Sequence, residues 1–297
     1  MSAAFSHNRG VAFCISGKTY NASVVIIDLH THTTASDGTL SPAELLRYAR
    51  ENNVGMLAIT DHDTLDAYKQ LNGQASNIPR LITGVELSTA WQGRGIHILG
   101  LNVDISNEIL RHGIERQQHA RLQRAHSIAQ RLTKLGIDNP WHAVRAIAGN
   151  GSIGRPHFAQ HLVNIGFVRD LRTAFRKYLG AGKPGDVNHC WASMQDIVAW
   201  ILAAGGIPVV AHPAKYRFTM TKLRCLLHDF KDAGGQGIEV ICGHQSSTTT
   251  RQLAGLAADL ELLASCGSDF HQPGLPWSRP GGFAPLPDSL RKVWEAW

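Results

Sequence analysis

Asp28-Leu29-His30-Thr31-His32-Thr33-Thr34-Ala35-Ser36-Asp37-Gly38 follows the apolar, β-branched run Val24-Val25-Ile26-Ile27. The run reads as a buried strand. In an extended chain, residues i and i+2 face the same way, so His30 and His32 can grip one ion together from the strand end. Asp37 comes five residues later, beside the turn glycine Gly38, and can fold back as a hard oxygen ligand. Two imidazoles and a carboxylate suit a divalent transition metal. Taken alone, an H-x-H pair reads as readily as two surface histidines on a loop. The rest of the chain decides.

Working outward, Ser41-Pro42-Ala43-Glu44 carries Ser at N-cap, Pro at N1 and Glu at N3, a capping box opening a helix to about Asn53. Met56-Leu57-Ala58-Ile59-Thr60 is the next buried strand, followed by Asp61-His62-Asp63 and a Thr64-capped helix. Leu81 to Leu87 and Gly95 to Gly100 are two more strands. The mainly strand–helix–strand rhythm implies parallel pairing. Strand signals then stop between about 104 and 190. A long helix is expected from about Ser106 to Leu135, with shorter helices at about 140–148, 156–165 and 170–179. The rhythm resumes with a Ser193-capped helix, a strand from Ile207 to His212, a helix near 220–233, a strand from Gly237 to Cys242, a helix near 248–260 and a strand from Leu262 to Cys266. About seven strands fit a closed βα barrel with its site at the C-terminal strand ends. The domain scheme is therefore an N-terminal extension (1–23), a metal-binding barrel (24–103 and 191–297) and a helical insert (104–190).

The 297 residues are 43% apolar, enough for a sizeable core. A net charge of +6 favours an anionic partner. The five cysteines are scattered, with no C-x-x-C pair, which argues for a reducing compartment and against a thiolate site or disulfide framework. No apolar run approaches a membrane span, and Val11-Ala12-Phe13-Cys14-Ile15 is too short for a signal-peptide core. A cytoplasmic protein with no membrane contact and no obligate protein partner is expected.

Metal-type residues stand near almost every strand end. His30 and His32 follow the first, His62 the second, Glu86 the third, His212 a later one, and Asp269 and His271 the last; His97 lies inside the fourth strand. In this order, Asp28-Leu29-His30-x-His32, Thr60-Asp61-His62-Asp63, Gly84-Val85-Glu86, His97-Ile98-x-Gly100, Ala211-His212-Pro213 and Gly267-Ser268-Asp269-x-His271 resemble the PHP (polymerase and histidinol phosphatase) domain, an amidohydrolase-like barrel. Within the insert, Gly154-Arg155-Pro156-His157-Phe158-Ala159, Phe175-Arg176-Lys177-Tyr178-Leu179 and Gly182-Lys183-Pro184-Gly185 resemble the branch of 3′,5′-nucleotide bisphosphate phosphatases and 5′-to-3′ exoribonucleases.

The resemblance implies an α/β fold, a distorted (β/α)7 barrel with a helical insertion. It also implies three divalent metal ions, manganese in first place with iron or zinc as alternatives. His30, His32, Glu86 and Asp269 would hold the first ion; Asp37, His62 and His271 the second; Glu86, His97 and His212 the third. Substrate contacts need cations, and Arg is the residue for bidentate phosphate recognition. Arg121 and Arg124, three apart on the long helix, match substrate-binding arginines of the branch, and Arg155, His157 and Lys183 lie in or beside Gly-bounded loops. A solvated basic face explains any one helical arginine equally well. Asp63 and His244 are candidate catalytic residues, Asp63 also a substrate contact, although Asp63 and His157 read equally well as residues that order the site; Asp61 is expected to orient a ligand histidine. Trp141, Trp191 and Trp200 read first as core packing and second as base platforms. Two positions depart from the branch: Asp186 stands where tyrosine is common, and Pro156 replaces a commoner Thr or Gly. The extra negative charge beside Lys183 bears on binding of long RNA.

The expected activity is metal-dependent removal of the 3′-phosphate from adenosine 3′,5′-bisphosphate, 5′-to-3′ exonucleolytic cleavage of short 5′-phosphorylated RNA, or both. A histidinol-phosphate-type phosphatase is the runner-up, although it usually lacks this insert. A non-catalytic, metal-stabilised nucleic-acid-binding module is the alternative outside enzymology, disfavoured by the complete ligand set.

Overall fold

The computed structural model describes residues 25–71, 79–187, 190–274 and 278–297; the expected N-terminal extension lies outside the described residues. Seven strands form one sheet in sequence order: β1 (Ile26–Asp28), β2 (Val54–Ile59), β3 (Arg80–Trp91), β4 (Arg94–Leu101), β5 (Ile207–Val210), β6 (Gly237–Cys242) and β7 (Leu263–Gly267). The two edges meet. The Leu29 N–H donates to the Cys266 carbonyl at 3.0 Å, and Thr31 bridges Phe270. The result is a nearly closed, distorted barrel.

Helices α1 (Pro42–Glu51) and α2 (Asp66–Leu71) follow β1 and β2, and α7 (Met194–Ala203), α8 (Met220–Asp232) and α9 (Ser247–Asp259) precede β5, β6 and β7. The capping box is present: the Glu44 N–H donates to the Ser41 hydroxyl and the Ser41 N–H to the Glu44 carboxylate. No helix among the described residues is long and apolar enough to cross a membrane.

The parallel rhythm fails at one place. β3 and β4 pair antiparallel, as do β4 and β5. Trp91 and Arg94 are joined by Gln92-Gly93, with φ of 46° and 73°. Positive φ at both central residues is the hairpin turn whose twist matches the flanking strands. The reversal matters for the site, because it brings the N-terminal half of β4, with His97 paired opposite Ser88, to the rim where the parallel strands end.

Between 104 and 190 the described residues form no strand. They form α3 (Glu108–Thr133), α4 (Pro140–Ala148), α5 (Arg155–Asn164) and α6 (Leu171–Ala174), followed by a π-turn, Phe175–Leu179. α3 joins two cores. Its first half buries Leu110 and Ile114 with Ile197 and Ile201 of the barrel, and Gly113 lies so close to Trp200 that a Cβ would stand 2.4 Å from the indole. Its second half buries Ala125, Ile128 and Leu132 in a separate core with Val144, Phe158 and Leu162. The rigid helix thus holds the helical segment against the barrel.

The expected helix over 170–179 widens into the π-turn for a visible reason. The Gly180 N–H donates to the Phe175 carbonyl. The carbonyls left over are used elsewhere: Tyr178 accepts from the Gly185 N–H at 2.7 Å, and Leu179 accepts from Arg155 Nη1 at 3.2 Å. Such bulges recur at functional sites.

Candidate metal centre and anion pocket

At the barrel rim, His30 and His32 leave β1 on one side of the extended chain, both fully buried. Asp61 accepts from the Thr33 N–H (2.8 Å), the Thr33 hydroxyl (2.6 Å) and the Ser36 hydroxyl (2.5 Å). It therefore pins the loop that returns Asp37 to the site. Asp61 is expected to orient a ligand histidine; the carboxylate that contacts a rim histidine ring from outside the predicted set is Glu239 of β6. Glu239 Oε1 lies 3.0 Å from His30 Nδ1, and Oε2 accepts from the His212 N–H at 2.5 Å. A carboxylate on Nδ1 fixes the proton there and turns Nε2 toward the metal position.

Glu86 lies at the centre, 0% exposed. Its Oε2 stands 3.3 Å from His30 Nε2, 3.4 Å from His32 Nε2 and 3.0 Å from His62 Nδ1. Its Oε1 stands 2.8 Å from both His97 Nδ1 and His212 Nε2. Asp269 Oδ1 is 3.4 Å from His30 Nε2 and 3.2 Å from His32 Nε2, while its Oδ2 takes Lys215. Asp37 faces His62 Nε2 at 3.7 Å, His271 Nε2 at 3.4 Å and His32 Nδ1 at 3.9 Å.

These distances test whether the donors fit metal ions. Bonds of about 2.0–2.1 Å give ligand-to-ligand edges of about 3.3–3.4 Å in a tetrahedron, and His30, His32, Glu86 and Asp269 show edges of 3.2–3.4 Å. Of nine buried side-chain polar atoms without a hydrogen-bond partner among the described residues, six belong to His30, His32, His62, Glu86 and His212. Buried polar atoms are normally satisfied, so a concentration of orphans at one point fits cations. The donors form overlapping groups: His32 faces Asp37, Glu86 and Asp269, and His62 faces Asp37 and Glu86.

Electrostatics agree. Burial alone would raise the Glu86 carboxyl, yet His62, His97 and His30 outweigh it and hold it well below the usual carboxylate range. Burial is likewise outweighed at Asp37 by His62 and His271, and at Asp269 by Lys215 and His30. Asp63, His212 and Asp269 have φ of 52°, 29° and 52°, a conformation that costs L-residues about 1–3 kcal/mol each and that clusters at functional sites.

Beside this centre lies a second assembly. Residues 104–190 carry thirteen Arg and Lys against six Asp and Glu, a net +7, leaving −1 for the remainder of the +6 chain. Arg121 and Arg124 are both buried on α3. Burial, then Arg155 and Arg121, push the Arg124 guanidinium down to about 9. Burial and Arg121 lower Arg155, against Asp186. Arg124 and Arg155 are thus held beside Arg121 at an energetic cost that an anion would relieve, while Arg121 itself is paired with Asp63. Gly154 is the meeting point: a Cβ there would lie 3.6 Å from both Arg121 Nη1 and Asp37 Oδ2. His157 Nδ1 accepts from the Gly154 N–H at 2.9 Å, so its Nε2 carries the proton, and burial lowers its pKa.

The sequence-derived residues fare differently. The nine metal-type residues converge. Arg121, Arg124, Arg155 and His157 gather beside them. Lys183 is exposed on the loop that Asp186 closes by accepting from the Gly182 N–H at 2.8 Å. The Asp63 carboxylate, next to His62 in the chain, accepts from Arg121, the Ser88 N–H and hydroxyl, and Gln117. His244 is exposed and takes no part in the cluster. Glu239, Lys215 and Gln117 were missed. Glu239 had a signal, being the one acidic residue in the wholly buried strand β6.

Fold and site together define a barrel phosphoesterase of the metal-dependent type. A model of the PHP domain matches residues 28–160, and the chain belongs to the PHP family of phosphoesterases. Among curated relatives, a 3′,5′-nucleoside bisphosphate phosphatase of Chromobacterium violaceum is 41% identical over 91% of this chain and 95% of its own length. The 5′-3′ exoribonuclease Rnm of Escherichia coli is 41% identical over 92% of this chain and 94% of its own. Among solved structures, an amidohydrolase from Chromobacterium violaceum with bound sulfate and no metal superposes with a TM-score of 0.83 at 39% identity, covering 92% of this chain and 95% of that one.

Proposed function

We propose that this enzyme hydrolyses the 3′-phosphate of nucleoside 3′,5′-bisphosphates such as adenosine 3′,5′-bisphosphate, and by the same geometry removes nucleotides from the 5′ end of short 5′-phosphorylated RNA. The observation that carries the reading is the contact at Gly154, where guanidinium and metal-type carboxylate approach one point. A cation cluster that close to the centre suits a substrate with two phosphates a nucleoside apart.

In this reading, three divalent ions, manganese first, are held by His30, His32, Glu86 and Asp269, by Asp37, His62 and His271, and by Glu86, His97 and His212. Such ions supply Lewis acidity and lower the pKa of water. The chain's own residues do the rest. Glu239 fixes the proton of His30, Lys215 leaves one oxygen of Asp269 facing the centre, and Asp63 holds Arg121. Arg121, Arg124, Arg155 and Lys183 grip the 5′-phosphate, with His157 Nε2–H as a neutral donor. Residues 104–190 act as a lid; the Ser152 N–H bond to the Ala35 carbonyl at 3.0 Å supports this by tying the α4–α5 loop to the loop that carries Asp37. The scattered cysteines favour the cytoplasm.

The test is phosphate or nucleotide release from adenosine 3′,5′-bisphosphate, a 5′-phosphorylated dinucleotide and histidinol phosphate, each with manganese. The first two should turn over well and the third poorly. Preference for histidinol phosphate, or no turnover of any, would replace this reading with one of the alternatives.

A further inference from the structure

A pocket built from arginines has a physical difficulty. Carboxylates that would hold the guanidiniums also cancel the charge that binds the anion. The three arginines meet it differently: Arg121 does take a carboxylate, and the Asp186 charge acts on Arg155 and Arg124. Arg121 is held by Asp63, Arg155 Nη1 by the Leu179 carbonyl, and Arg124 Nε by the Val187 carbonyl at 2.6 Å. One side chain touches two of them. Arg121 Cζ and Arg124 Cζ stand 5.3 Å and 5.2 Å from the centre of the Trp191 ring. An aromatic face attracts a cation through its quadrupole and carries no net charge, so it can orient guanidiniums without neutralising them.

Trp191 is itself tied to the barrel. The neighbouring Ala192 N–H donates to Gln117 Oε1 at 3.0 Å, and its carbonyl accepts from the Thr89 hydroxyl at 2.7 Å. Gln117 Nε2 donates to the Ser88 carbonyl at 2.5 Å and to Asp63 at 3.1 Å. Ser88 and Thr89 lie on β3, the strand that carries Glu86. The position of the indole is thereby referred to the same strand as the centre of the histidine cluster. A core role explains Trp200, packed on Gly113, but not Trp191, which is half-buried and faces two cations.

We propose that Trp191 is a positioning residue of the anion pocket: its indole fixes the spacing of Arg121 and Arg124, relative to β3, for a nucleotide 5′-phosphomonoester. This rests on the reading of that pocket as the 5′-phosphate site. The step contributed is geometric, so Trp191 bears on KM and on phosphate affinity more than on kcat.

The test compares the manganese-loaded wild type with Trp191→Phe and Trp191→Leu. Binding of adenosine 5′-monophosphate and of adenosine is measured by calorimetry, and kcat and KM are measured for the bisphosphate. Trp191→Leu should weaken 5′-monophosphate binding and raise KM by about tenfold or more, with a far smaller change in kcat, and Trp191→Phe should recover most of that loss. Thermal midpoint and bound manganese report whether each variant is intact. Trp191→Phe also tests the contact by fluorescence: the change in wild-type tryptophan emission on adding 5′-monophosphate should shrink in it. Wild-type-like 5′-monophosphate affinity in an intact Trp191→Leu, or an unchanged emission response in Trp191→Phe, overturns the proposal. Equal weakening of adenosine overturns it in favour of a base platform. If the wild type itself binds 5′-monophosphate no better than adenosine, the underlying pocket reading fails instead.

Discussion

Arg121 and Asp63 form a two-point ion pair, Nε and Nη2 both donating to Oδ2, with Asp63 0% and Arg121 6% exposed. The pair joins α3 to the loop after β2, and so joins the arginine cluster to the metal-type cluster through the neighbour of His62. Burial would raise the Asp63 carboxyl, but Arg121 and the Ser88 N–H more than compensate and lower it.

Breaking this pair strands a buried charge, which costs about 3–5 kcal/mol. Asp63→Ala should therefore lower unfolding free energy by roughly that amount in denaturant titrations. It should also raise KM for the bisphosphate, because Arg121 loses its anchor. Unchanged stability would mean that Arg121 finds another partner and that Asp63 has a different role.

Glu239→Gln should weaken manganese binding about 10–100-fold, read directly by metal titration monitored calorimetrically. The Gln amide can no longer hold both the His30 ring and the His212 N–H as an anionic acceptor. Wild-type affinity would remove Glu239 from the metal account.

Much of this arrangement was legible in the sequence, and the reasons differ by residue. Metal-type residues such as His30, His62, Glu86 and Asp269 were visible because each sits beside a strand signal, and strand ends converge in a barrel. The helical segment was visible because period-two patterning stops. What the pattern hid was direction and partnership. Gln92-Gly93 is a hairpin turn without the usual Asn-Gly signature, so the reversal of β4 went unread. Asp63 was readable as a candidate by its neighbourhood, but no local pattern reveals its ion pair to a residue on α3. Glu239 and Lys215 act through contacts between distant segments, and the π-turn answers to Arg155 and Gly185 rather than to its own propensities.

His157 supplies a pH dependence. Its folded-state pKa is lowered by burial from 6.5, and its Nδ1 must stay unprotonated to accept the Gly154 N–H. The unfolded chain binds more protons below about 6.5, so stability from this group is present above that pH and is lost as pH falls. Thermal midpoints at fixed manganese should fall more between pH 7.5 and 5.5 for wild type than for His157→Asn, whose side-chain oxygen can replace Nδ1 as acceptor. Parallel pH profiles would show that the capping bond does not govern α5.

Arg155→Ala should reduce kcat/KM for adenosine 3′,5′-bisphosphate by roughly 10–150-fold, the range of one charge-assisted contact of about 1.5–3 kcal/mol. The same variant should lose little on adenosine 3′-monophosphate, which has no 5′-phosphate to grip. Equal losses on both substrates would assign Arg155 to the lid's structure rather than to the substrate, since only a direct contact couples variant and substrate in this cycle.

The central claim is that the helical segment grips one phosphate while the barrel rim cleaves the next, and kcat/KM of the manganese-loaded wild type on two substrates tests it most directly. Adenosine 3′,5′-bisphosphate and adenosine 3′-monophosphate present the same scissile group and differ only at the 5′ position. With two or more contacts at about 1.5–3 kcal/mol each, the bisphosphate should be preferred by on the order of a hundredfold or more. Equal kcat/KM values for the two would contradict the account and leave a generic phosphomonoesterase.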